Sequence, residues 1–367
     1  MSELADAFRV RFERIAGLLR GRGVDGLLLF PGANLYYFTG FMIGLSERPS
    51  VAVLPFDDEP VLIVPELERD LRGQRPWINC VEVWREWEDP FRLIANVMRR
   101  RGLAEGLVGV CEMAPWGWVR RIGRLLPKVG FVDVSDAINS LRMVKSEFEV
   151  AKIRAACRIV DRAVKAGFES LEEGLTELEL SSIIEGEARR LGGRPSFCTV
   201  LFGERAALPH GSPSDRELRR GDVVLVDAGV IVDGYHSDIT RTVVFGEPSR
   251  RQRRIWEVVF NANRAAIEYI RPGVTCEDAD RVAREIIIRA GFGEHFIHRL
   301  GHGIGLEVHE HPYLVRGNGL RLKAGMTFTI EPGIYISGEL GVRIEDTVLC
   351  TSGGCASLTM LERSITI

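Results

Sequence analysis

The residues that could do chemistry are concentrated in the second half of the chain. All seven histidines lie between His210 and His311, and the first 209 residues contain none. Histidine is the commonest metal ligand and an acid–base group near neutral pH. Three of these histidines, His298, His302 and His309, fall within the segment HRLGHGIGLEVHE. Any catalytic or metal-binding site is therefore expected in this half.

Two segments of the second half match each other in the spacing of their acidic residues. Asp227 is followed 11 residues later by Asp238, and Glu331 is followed 14 residues later by Glu345. Each first acid has a glycine six residues before it and another two residues after it, and each second acid has a threonine two residues after it. This internal repeat suggests two related halves around a pseudo-two-fold axis.

Each copy of the repeat reads as a β-hairpin that carries one acid on each strand. The first strand, Val223–Val226, is apolar on both faces and is predicted to end at Asp227. In the second strand of each copy, alternation with a period of two places polar residues on one face. These are Asp238, Thr240 and Thr242 in the first copy, and Arg343, Glu345 and Thr347 in the second. Two such hairpins would offer four carboxylates at one point.

Four carboxylates in an apolar setting repel one another and must be neutralised by protons or by cations. Two divalent metal ions would serve. The alternative, four acids that face solvent, does not require the matched register of the repeat. The tetrapeptide Val-Asp-Ala-Gly also resembles an aspartic-protease signature, but the partner copy here is Glu-Pro-Gly and each copy has a further acid. The spelling G-x-G-x-x-G at residues 21–26 precedes a predicted strand instead of following one, which disfavours a dinucleotide site.

The elements that must position these residues can be read from the hydrophobic pattern. The N-terminal part alternates helices with short apolar strands, which predicts an α/β layer domain. Residues 146–169 are predicted to form one long helix, with Ser146 and Glu149 as a capping box. A second helix is predicted at about 176–191. Beyond residue 195 strands predominate, interrupted by helices at about 250–270 and 276–290.

The ordered motifs resemble those of the Xaa-Pro peptidases, the prolidases and aminopeptidases P, which are close to creatinase and methionine aminopeptidase. The motifs are the Asp of VDAG, the Asp of SDITRT, the His of GHGIG, the Glu of EPG and the Glu of RIED, and the resemblance spans about residues 145–367. The segment Asn34–Phe41 resembles the N-terminal domain of the prolidase, aminopeptidase P and creatinase branch. The resemblance implies an α+β fold, with a pita-bread catalytic domain at 143–367 and a smaller α/β creatinase-like N-terminal domain at 1–142.

The resemblance also implies a set of metal ligands. Two divalent metal ions, Mn²⁺, Co²⁺ or Zn²⁺, are expected on Asp227, Asp238, His302, Glu331 and Glu345, with Asp238 and Glu345 bridging the two ions. Such an oxygen-rich set with one imidazole suits these ions better than a thiolate-seeking metal. By the same resemblance, a hydroxide held between the metals attacks the carbonyl before proline, and Glu331 serves as the proton shuttle.

Four further residues receive catalytic roles from the resemblance. His309 is expected to stabilise the tetrahedral oxyanion, and His210 and His298 to contact the substrate. Arg343 shares the face of Glu345 and is expected to orient that carboxylate or a substrate group. The remaining histidines are expected to be structural or surface residues: His236, His295 and His311.

The expected activity is hydrolysis of the peptide bond that precedes proline in a dipeptide or an oligopeptide. Strict dipeptidases of the family often carry an arginine shortly after the H-E-x-P motif, whereas here H-E-H-P is followed by Tyr313. Dipeptidase and aminopeptidase activity therefore both stay open. Two other functions also stay open, a same-fold amidohydrolase that acts on a small non-peptide amide and a non-catalytic peptide-binding module.

The bulk composition narrows the setting in which the chain works. A net charge of −3 gives no argument for binding nucleic acid or an anionic membrane. No apolar run approaches the ~20 residues that cross a bilayer, and the N-terminal residues are polar and amphipathic, unlike a signal peptide. The seven cysteines are scattered, without a C-x-x-C motif, which is typical of free thiols in a reducing compartment. We therefore expect a cytoplasmic location and, from the family resemblance, a homodimer.

Overall fold

The computed structural model describes residues 3–70, 74 and 77–366. The chain forms two compact units that divide between Leu141 and Arg142. No helix of the described residues is long and apolar enough to cross a membrane.

The first unit is built on one six-stranded sheet with helices. Its strands are β1 Gly26–Leu29, β2 Val51–Pro55, β3 Val61–Pro65, β4 Cys80–Trp84, β5 Gly106–Val110 and β6 Val129–Asp133. Its helices are α1 Glu3–Arg20, α2 Ala33–Thr39, α3 Pro90–Arg100, α4 Trp116–Leu125 and α5 Ser135–Met143, the last of which continues past Leu141, where the unit ends. The strand order is β4-β3-β2-β1-β5-β6, and β2 is antiparallel to both of its neighbours. Every residue of β1, β2 and β3 is buried, as expected for strands covered on both faces, and the predicted α/β layer architecture is confirmed.

The second unit contains four long helices and eleven strands among its described residues. The helices are α6 Glu147–Glu169, α7 Glu177–Arg190, α8 Arg250–Tyr269 and α9 Cys276–Arg289. The strands are β7 Arg194–Phe202, β8 Val223–Val232, β9 Tyr235–His236, β10 Ile239–Val244, β11 Gly301–Gly303, β12 Glu310–Leu314, β13 Thr327–Ile330, β14 Gly333–Ile336, β15 Leu340–Arg343, β16 Asp346–Cys350 and β17 Cys355–Ser357.

The helices begin where the sequence predicts them. The Ser146 hydroxyl accepts from the backbone N–H of Glu149, and the Glu149 side chain accepts from the backbone N–H of Ser146, which completes the predicted capping box. Thr176 and Glu179 form the same reciprocal pair at the start of α7. Each box satisfies two backbone donors that the first helical turn leaves without partners, a contribution of about 1 kcal/mol.

The second unit consists of two halves with the same construction. In the first half, α6 and α7 pack on a sheet of order β10-β8-β7, with Val164 and Val226 in its core. In the second half, α8 and α9 pack against a sheet of order β12-β11-β13-β16-β17, with Ile287 and Phe328 in its core. In each half the acid-bearing strands are antiparallel neighbours. The internal repeat of the sequence is therefore a repeat of structure.

The first acid-bearing strand is longer than predicted. Strand β8 does not end at Asp227 but continues through it to Val232. The residues beyond the acid stay in the sheet because they pair with β7 on one side, and Ala228 also pairs with Ile239 of β10 on the other. An acid inside an apolar run resembles a strand end in sequence, but here it is a site residue within a strand.

The two copies of the repeat differ in register. Asp227 lies opposite Thr240 in the first half, whereas the matching threonine of the second half, Thr347, lies opposite Thr329, two residues before Glu331. The extra residues of the second copy form a separate hairpin of β14 and β15 between its two acids. The predicted single strand through Arg343, Glu345 and Thr347 is therefore wrong, since β15 ends at Arg343 and β16 begins after Glu345.

A buried cluster of charges ties the start of the second unit to strand β12. The Glu310 carboxylate accepts hydrogen bonds from Lys145 Nζ at 2.8 Å and from the Arg142 guanidinium. Burial opposes ionisation of Glu310, but the two cations outweigh it and lower the pKa of this carboxyl to about 2. Because Glu310 follows His309 directly, the cluster also anchors the segment that carries this histidine.

Candidate active site

The predicted metal ligands come from strands of both halves of the second unit. Asp227 lies within β8, and Asp238 immediately precedes β10. His302 is the central residue of β11. Glu331 immediately follows β13, and Glu345 immediately precedes β16. Each half thus contributes two acids, and the second half adds the imidazole.

The structure brings these side chains together at one place. One ligand atom each of Asp238, His302 and Glu345 lie within 4.8 Å of one another, and all three residues are buried. His302 Nε2 lies 3.2 Å from Glu331 Oε1 and 3.7 Å from Asp238 Oδ2. Asp227 joins the group through a guanidinium described below. The four carboxylates and the imidazole therefore form a single polar cluster inside the unit.

The orientation of His302 leaves one ring nitrogen facing the acids. Its Nδ1 lies 3.1 Å from the carbonyl oxygen of Gly303. A proton on Nδ1 is donated to that carbonyl, and Nε2 faces the carboxylates, where it donates to Glu331 when the ring is protonated and can ligate a metal ion when the ring is neutral. A histidine held by a backbone carbonyl in this way is the usual arrangement for a metal ligand.

The carboxylates influence one another strongly. Burial, followed by the negative charges on Glu345 and Asp227, raises the pKa of Asp238 well above its ordinary value. Burial and the charges on Glu331 and Asp227 raise the pKa of Glu345 in the same direction. Burial also opposes ionisation of Glu331, but the hydrogen bond and charge of His302 outweigh it and hold the pKa of Glu331 at about 2. The cluster therefore carries more negative charge than its protein surroundings neutralise.

Unpaired oxygens show that the cluster suits cations. Asp227 Oδ1 and Asp238 Oδ1 are buried and have no hydrogen-bond partner among the residues that the structure describes. A buried polar atom without a partner costs about 1–3 kcal/mol, and a divalent cation would both ligate these oxygens and offset the charge. Carboxylate oxygens with one imidazole suit Mn²⁺, Co²⁺ or Zn²⁺. The residues present therefore fit divalent metal ions.

Arg343 connects the acids of the two halves. Its Nη2 donates to Asp227 Oδ2 at 2.7 Å, and its Nε donates to Thr240 Oγ1 at 2.9 Å. The Thr240 hydroxyl in turn donates to Glu345 Oε2 at 2.6 Å. The third nitrogen, Nη1, donates to the Tyr335 hydroxyl at 2.8 Å. Each nitrogen of the guanidinium thus donates to a group of the protein, which fits orientation of carboxylates.

Two of the predicted catalytic histidines lie beside the acids. His298 Nε2 is 2.9 Å from the Tyr335 hydroxyl, and its Nδ1 is 4.0 Å from Glu331 Oε2. The ring of His309 contacts that of His302 edge to face, with centroids 4.1 Å apart. Desolvation by the surrounding protein, followed by the positive charges on His302 and Arg299, lowers the pKa of His309 to about 4. His309 is therefore a neutral imidazole at neutral pH.

The other histidines lie at the rim of the cluster or away from it. His210 is exposed, and its charge is among the influences that lower the pKa of His309, so the two rings are within electrostatic reach. His236 Nδ1 lies 3.1 Å from the Ser196 hydroxyl, and burial lowers the pKa of His236 to about 4. His295 contacts an aromatic ring, as does His311. The structure gives these last three no contact with the acids.

The same architecture and motifs occur in known proteins. The model of metallopeptidase family M24 matches residues 151–352, and that of the creatinase/prolidase N-terminal domain matches residues 11–144. The chain belongs to the M24 metallopeptidase family. The predicted family and the predicted pita-bread fold with a creatinase-like N-terminal domain are thereby confirmed. Membership implies divalent metal ions, for which the acid cluster is the candidate site.

Several relatives of this M24 metallopeptidase match over almost the whole chain. The Xaa-Pro dipeptidase of Pyrococcus furiosus is 36% identical over 357 residues, which cover 97% of this chain and 99% of the relative. The structure of recombinant prolidase from Thermococcus sibiricus superposes with a TM-score of 0.92 at 36% identity, covering 98% of both chains. An X-Pro aminopeptidase from Thermotoga maritima gives a TM-score of 0.88 at 33% identity, covering 97% of this chain and 99% of the other.

Two site residues of the metallopeptidase were not predicted from its sequence. Tyr335 is buried between His298 and Arg343, and burial raises the pKa of its hydroxyl to about 12. Asp346 is fully buried directly behind Glu345 and accepts hydrogen bonds from Arg241. A tyrosine two residues after the glycine of EPG and a second acid in RIED were the available signals. Neither distinguishes a site residue from an ordinary strand residue without the long-range contacts.

The contacts of Asp346 fix the backbone that carries two of the acids. Arg241, which bonds Asp346, also donates to the carbonyl of Glu345 at 2.6 Å. Asn263 Nδ2 lies 3.2 Å from Asp346 Oδ2 and donates to the carbonyl of Ile330, the residue before Glu331, at 2.9 Å. Burial opposes ionisation of Asp346, but the guanidinium of Arg241 and a second arginine outweigh it and lower the pKa of this carboxyl.

Proposed function

We propose that the chain is a metal-dependent Xaa-Pro peptidase that hydrolyses the peptide bond preceding proline. The observation that carries the proposal is the convergence of four carboxylates, of which Asp238 and Glu345 are buried, and one buried imidazole from two related halves. The relatives named Xaa-Pro dipeptidase, prolidase and X-Pro aminopeptidase, which match along almost the whole chain, support the same substrate class. Neither a small-amide hydrolase nor a non-catalytic binding module is favoured by these relatives.

The metal-binding residues in this proposal are Asp227, Asp238, His302, Glu331 and Glu345. These five residues would hold two divalent ions, Mn²⁺, Co²⁺ or Zn²⁺. The unpaired buried oxygens of Asp227 and Asp238 support this assignment. When bound, the ions would polarise the substrate carbonyl and activate a water molecule as nucleophile at neutral pH.

Glu331 is proposed to move the proton. Its Oε1 lies 3.2 Å from His302 Nε2 and accepts a hydrogen bond from the Thr329 hydroxyl at 3.0 Å. Oε2 accepts no hydrogen bond from a described residue, and it is therefore available to take a proton from the attacking water. An Xaa-Pro bond is a tertiary amide whose nitrogen carries no hydrogen, so this nitrogen must receive a proton before it leaves. Transfer from Glu331 Oε2 supplies it.

The surrounding residues stabilise and orient the reacting groups. His309 is neutral at neutral pH, so its ring N–H can donate to the oxyanion that forms on the carbonyl. His298 and His210 are proposed to contact the substrate. Arg343 is proposed to hold Asp227 directly and Glu345 through Thr240, in agreement with the hydrogen bonds of its guanidinium to Asp227 and Thr240 and of Thr240 to Glu345.

The test is hydrolysis by protein reconstituted separately with Mn²⁺, Co²⁺ and Zn²⁺. Cleavage of an Xaa-Pro peptide is expected, with loss of activity in Asp238→Ala and after chelation. Glu339→Gln is a matched control, because this carboxylate pairs with Arg251 at an exposed position. Turnover of a non-peptide amide without turnover of any Xaa-Pro peptide would reject the proposal, as would full activity in Asp238→Ala.

We further propose that the enzyme works as a cytoplasmic homodimer. All seven cysteines are free thiols, which is typical of a reducing compartment. The dimer is supported by the family resemblance. Light scattering should give a mass of about 82 kDa, twice the 41.0 kDa of one chain, and a mass of one chain would contradict the dimer. Fractionation of the source cells should recover the protein with the cytoplasmic fraction.

A further inference from the structure

Two cysteines face each other on the last hairpin of the second unit. Cys350 ends β16, Cys355 begins β17, and these two free cysteines are direct antiparallel partners. Strand β17 lies at the end of its five-stranded sheet, with β16 as its neighbour there. The half-buried Cys80 of β4 differs, because its direct partner is Val61. The strand register thus brings two thiols together at one edge of the sheet.

The backbone hydrogen bonds show that this pair is of the kind whose side chains lie closest. The N–H of Cys350 donates to the carbonyl of Met326 at 2.8 Å, and its carbonyl accepts from the N–H of Gly325 at 2.9 Å. Both backbone groups of Cys350 therefore point towards β13 and away from β17. The ladder hydrogen bond of the hairpin runs at the next position, from the N–H of Thr351 to the carbonyl of Gly354 at 2.8 Å. Opposite residues without a hydrogen bond between them have Cα atoms about 4.5 Å apart, within the range of about 4.4–6.8 Å that disulfides span.

The two side chains share the covered face of the sheet but differ in access to solvent. Direct partners in antiparallel strands project from the same face. Cys350 is fully buried in the core of the second half, and the half-buried Cys355 packs against that core. Burial, followed by the neighbouring Cys350, raises the pKa of Cys355 to about 12, which agrees with two sulfurs that are close together. A small reagent can therefore reach Cys355 from solvent, whereas Cys350 is shielded from it.

The surroundings favour a bond between the two sulfurs over a metal ion that they share. A zinc or copper site on thiolates needs further cysteine, histidine or carboxylate ligands. Among the residues that the structure describes, the group of such side chains that converges closely enough to hold a metal is Asp238, His302 and Glu345, and it does not include these thiols. The Cys350 thiol makes only a weak contact at 3.9 Å with the carbonyl of Thr351, which it can give up.

We propose that Cys350 and Cys355 are a site of reversible oxidation, at which a small disulfide such as oxidised glutathione closes a cross-strand disulfide bond. The Cys355 thiol loses its proton, and its sulfur attacks one sulfur of the oxidant, which breaks the S–S bond of the oxidant and releases one glutathione thiolate. The sulfur of Cys350 then loses its proton, attacks the sulfur of Cys355 and displaces the second glutathione thiolate. The two protein thiols lose two electrons to the oxidant, and the two released thiolates take up the two protons. Excess thiol reverses both steps.

The disulfide joins the edge strand to a strand that carries the backbone of the candidate metal site. Strand β16 begins directly after Glu345, and the chain beyond β17 returns to it, where the Thr359 hydroxyl donates to Asp346 at 3.0 Å. Closing the bond prevents β17 from separating from β16 and constrains the unfolded chain, so it stabilises the fold around Glu345. The bond closes slowly at neutral pH, because thiolate is scarce in a cysteine whose pKa is about 12.

The test incubates the metal-loaded full chain with oxidised glutathione, blocks the remaining thiols and digests the protein with trypsin. Residues 344–363 form one tryptic peptide that contains both cysteines, because no lysine or arginine lies between Arg343 and Arg363. In the wild type this peptide should lose two hydrogen atoms in mass and become resistant to alkylation, and dithiothreitol should restore it. The closure rate should rise about tenfold for each pH unit, in step with the fraction of thiolate.

Thermal unfolding measures the consequence of the bond. A disulfide that closes so short a loop should raise Tm by roughly 4–9 °C relative to the reduced protein. Cys355→Ser should abolish this difference, whereas Cys80→Ser, which removes a half-buried thiol of the first unit, should retain it. Wild-type peptide that still carries two alkylated thiols, or that stops at a glutathione adduct on Cys355, would overturn the inference. Disulfide-linked dimers, or a Tm shift that persists in Cys355→Ser, would overturn it as well. The peptide mass decides the bond in wild type even if Cys355→Ser does not fold.

Discussion

Replacing Asp238 by asparagine is expected to stabilise the metal-free chain and to reduce strongly the stabilisation that the chain gains from metal. Asp238 is only 4% exposed, and one of its carboxylate oxygens has no hydrogen-bond partner among the described residues. Burial raises the pKa of Asp238, and three neighbouring carboxylates raise it further. Asparagine has nearly the same shape and no charge, and its amide can donate a hydrogen bond to a neighbouring carboxylate. The substitution therefore removes repulsion without leaving a cavity.

The magnitude follows from the unpaired oxygen. Leaving a buried polar atom without a partner costs about 1–3 kcal/mol, so the free energy of unfolding of the metal-free chain should rise by about that amount. For an unfolding unit the size of the second unit, each kcal/mol corresponds to about 2–4 °C in Tm, so Tm should rise by roughly 2–12 °C. In the wild type, metal at 100 times its Kd adds about 2.7 kcal/mol for each site. The variant should gain much less from metal because it lacks a ligand.

The assay is thermal unfolding followed by circular dichroism, first in chelator and then in Mn²⁺. Asp233→Asn is the matched control, since Asp233 lies in the turn of the same hairpin, is exposed, and has a positive φ of 49° that asparagine also tolerates. The control should change neither Tm nor the response to metal. An Asp238→Asn variant that is less stable than wild type in chelator, or that keeps the full metal response, would refute the reasoning.

Three further substitutions test the contacts around the site. Glu310→Gln should lower the free energy of unfolding, measured in urea, by about 3–5 kcal/mol, because two buried cations lose their counter-ion. The folded protein holds the pKa of Glu310 at about 2, so this difference in stability from wild type should be complete at neutral pH. The difference should narrow as the pH falls from about 4 towards 2, because the wild-type carboxylate then becomes protonated. Arg343→Lys should lower kcat/KM by about 10- to 150-fold at unchanged metal content, because lysine cannot reach both Asp227 and Tyr335 with forked donors. Tyr335→Phe should lower kcat by about 2- to 12-fold, because it removes the hydroxyl between His298 and the guanidinium.

Each of these predictions has an outcome that contradicts it. Glu339→Gln breaks an exposed ion pair and should cost under about 1 kcal/mol, so an equally small effect for Glu310→Gln would mean that the buried cluster does not stabilise the fold. Wild-type kcat/KM in Arg343→Lys at full metal occupancy would remove the orienting role of the guanidinium. An unchanged kcat in Tyr335→Phe would show that the hydroxyl is dispensable for positioning His298.

The helices and the pairing of acids could be predicted from the sequence because their signals are local. The capping box at Ser146 needs residues only three positions apart, and the structure contains it. Similarly, the matched glycines and threonines around Asp227 and Glu331 revealed two related halves without any knowledge of the sheets. Periodicity and turn chemistry act within a few residues, so one segment is enough to read them.

The details that were missed depend on which strand lies beside which. Strand β8 continues past Asp227 because β7 pairs with the residues beyond it, and β7 lies more than twenty residues earlier in the chain. The hairpin of β14 and β15 between Glu331 and Glu345 looked like a long turn until its own pairing was visible.

The acid cluster is proposed to be a two-metal centre that cleaves Xaa-Pro bonds. The most direct test is a titration of the metal-free enzyme with Mn²⁺, in which bound metal and release of proline from an Xaa-Pro dipeptide are measured on the same samples. Activity should rise with occupancy and level off at about two ions per chain, and Asp238→Asn should neither bind the full complement nor release proline. Proline release without bound metal, or two bound ions without any proline release, would contradict the account.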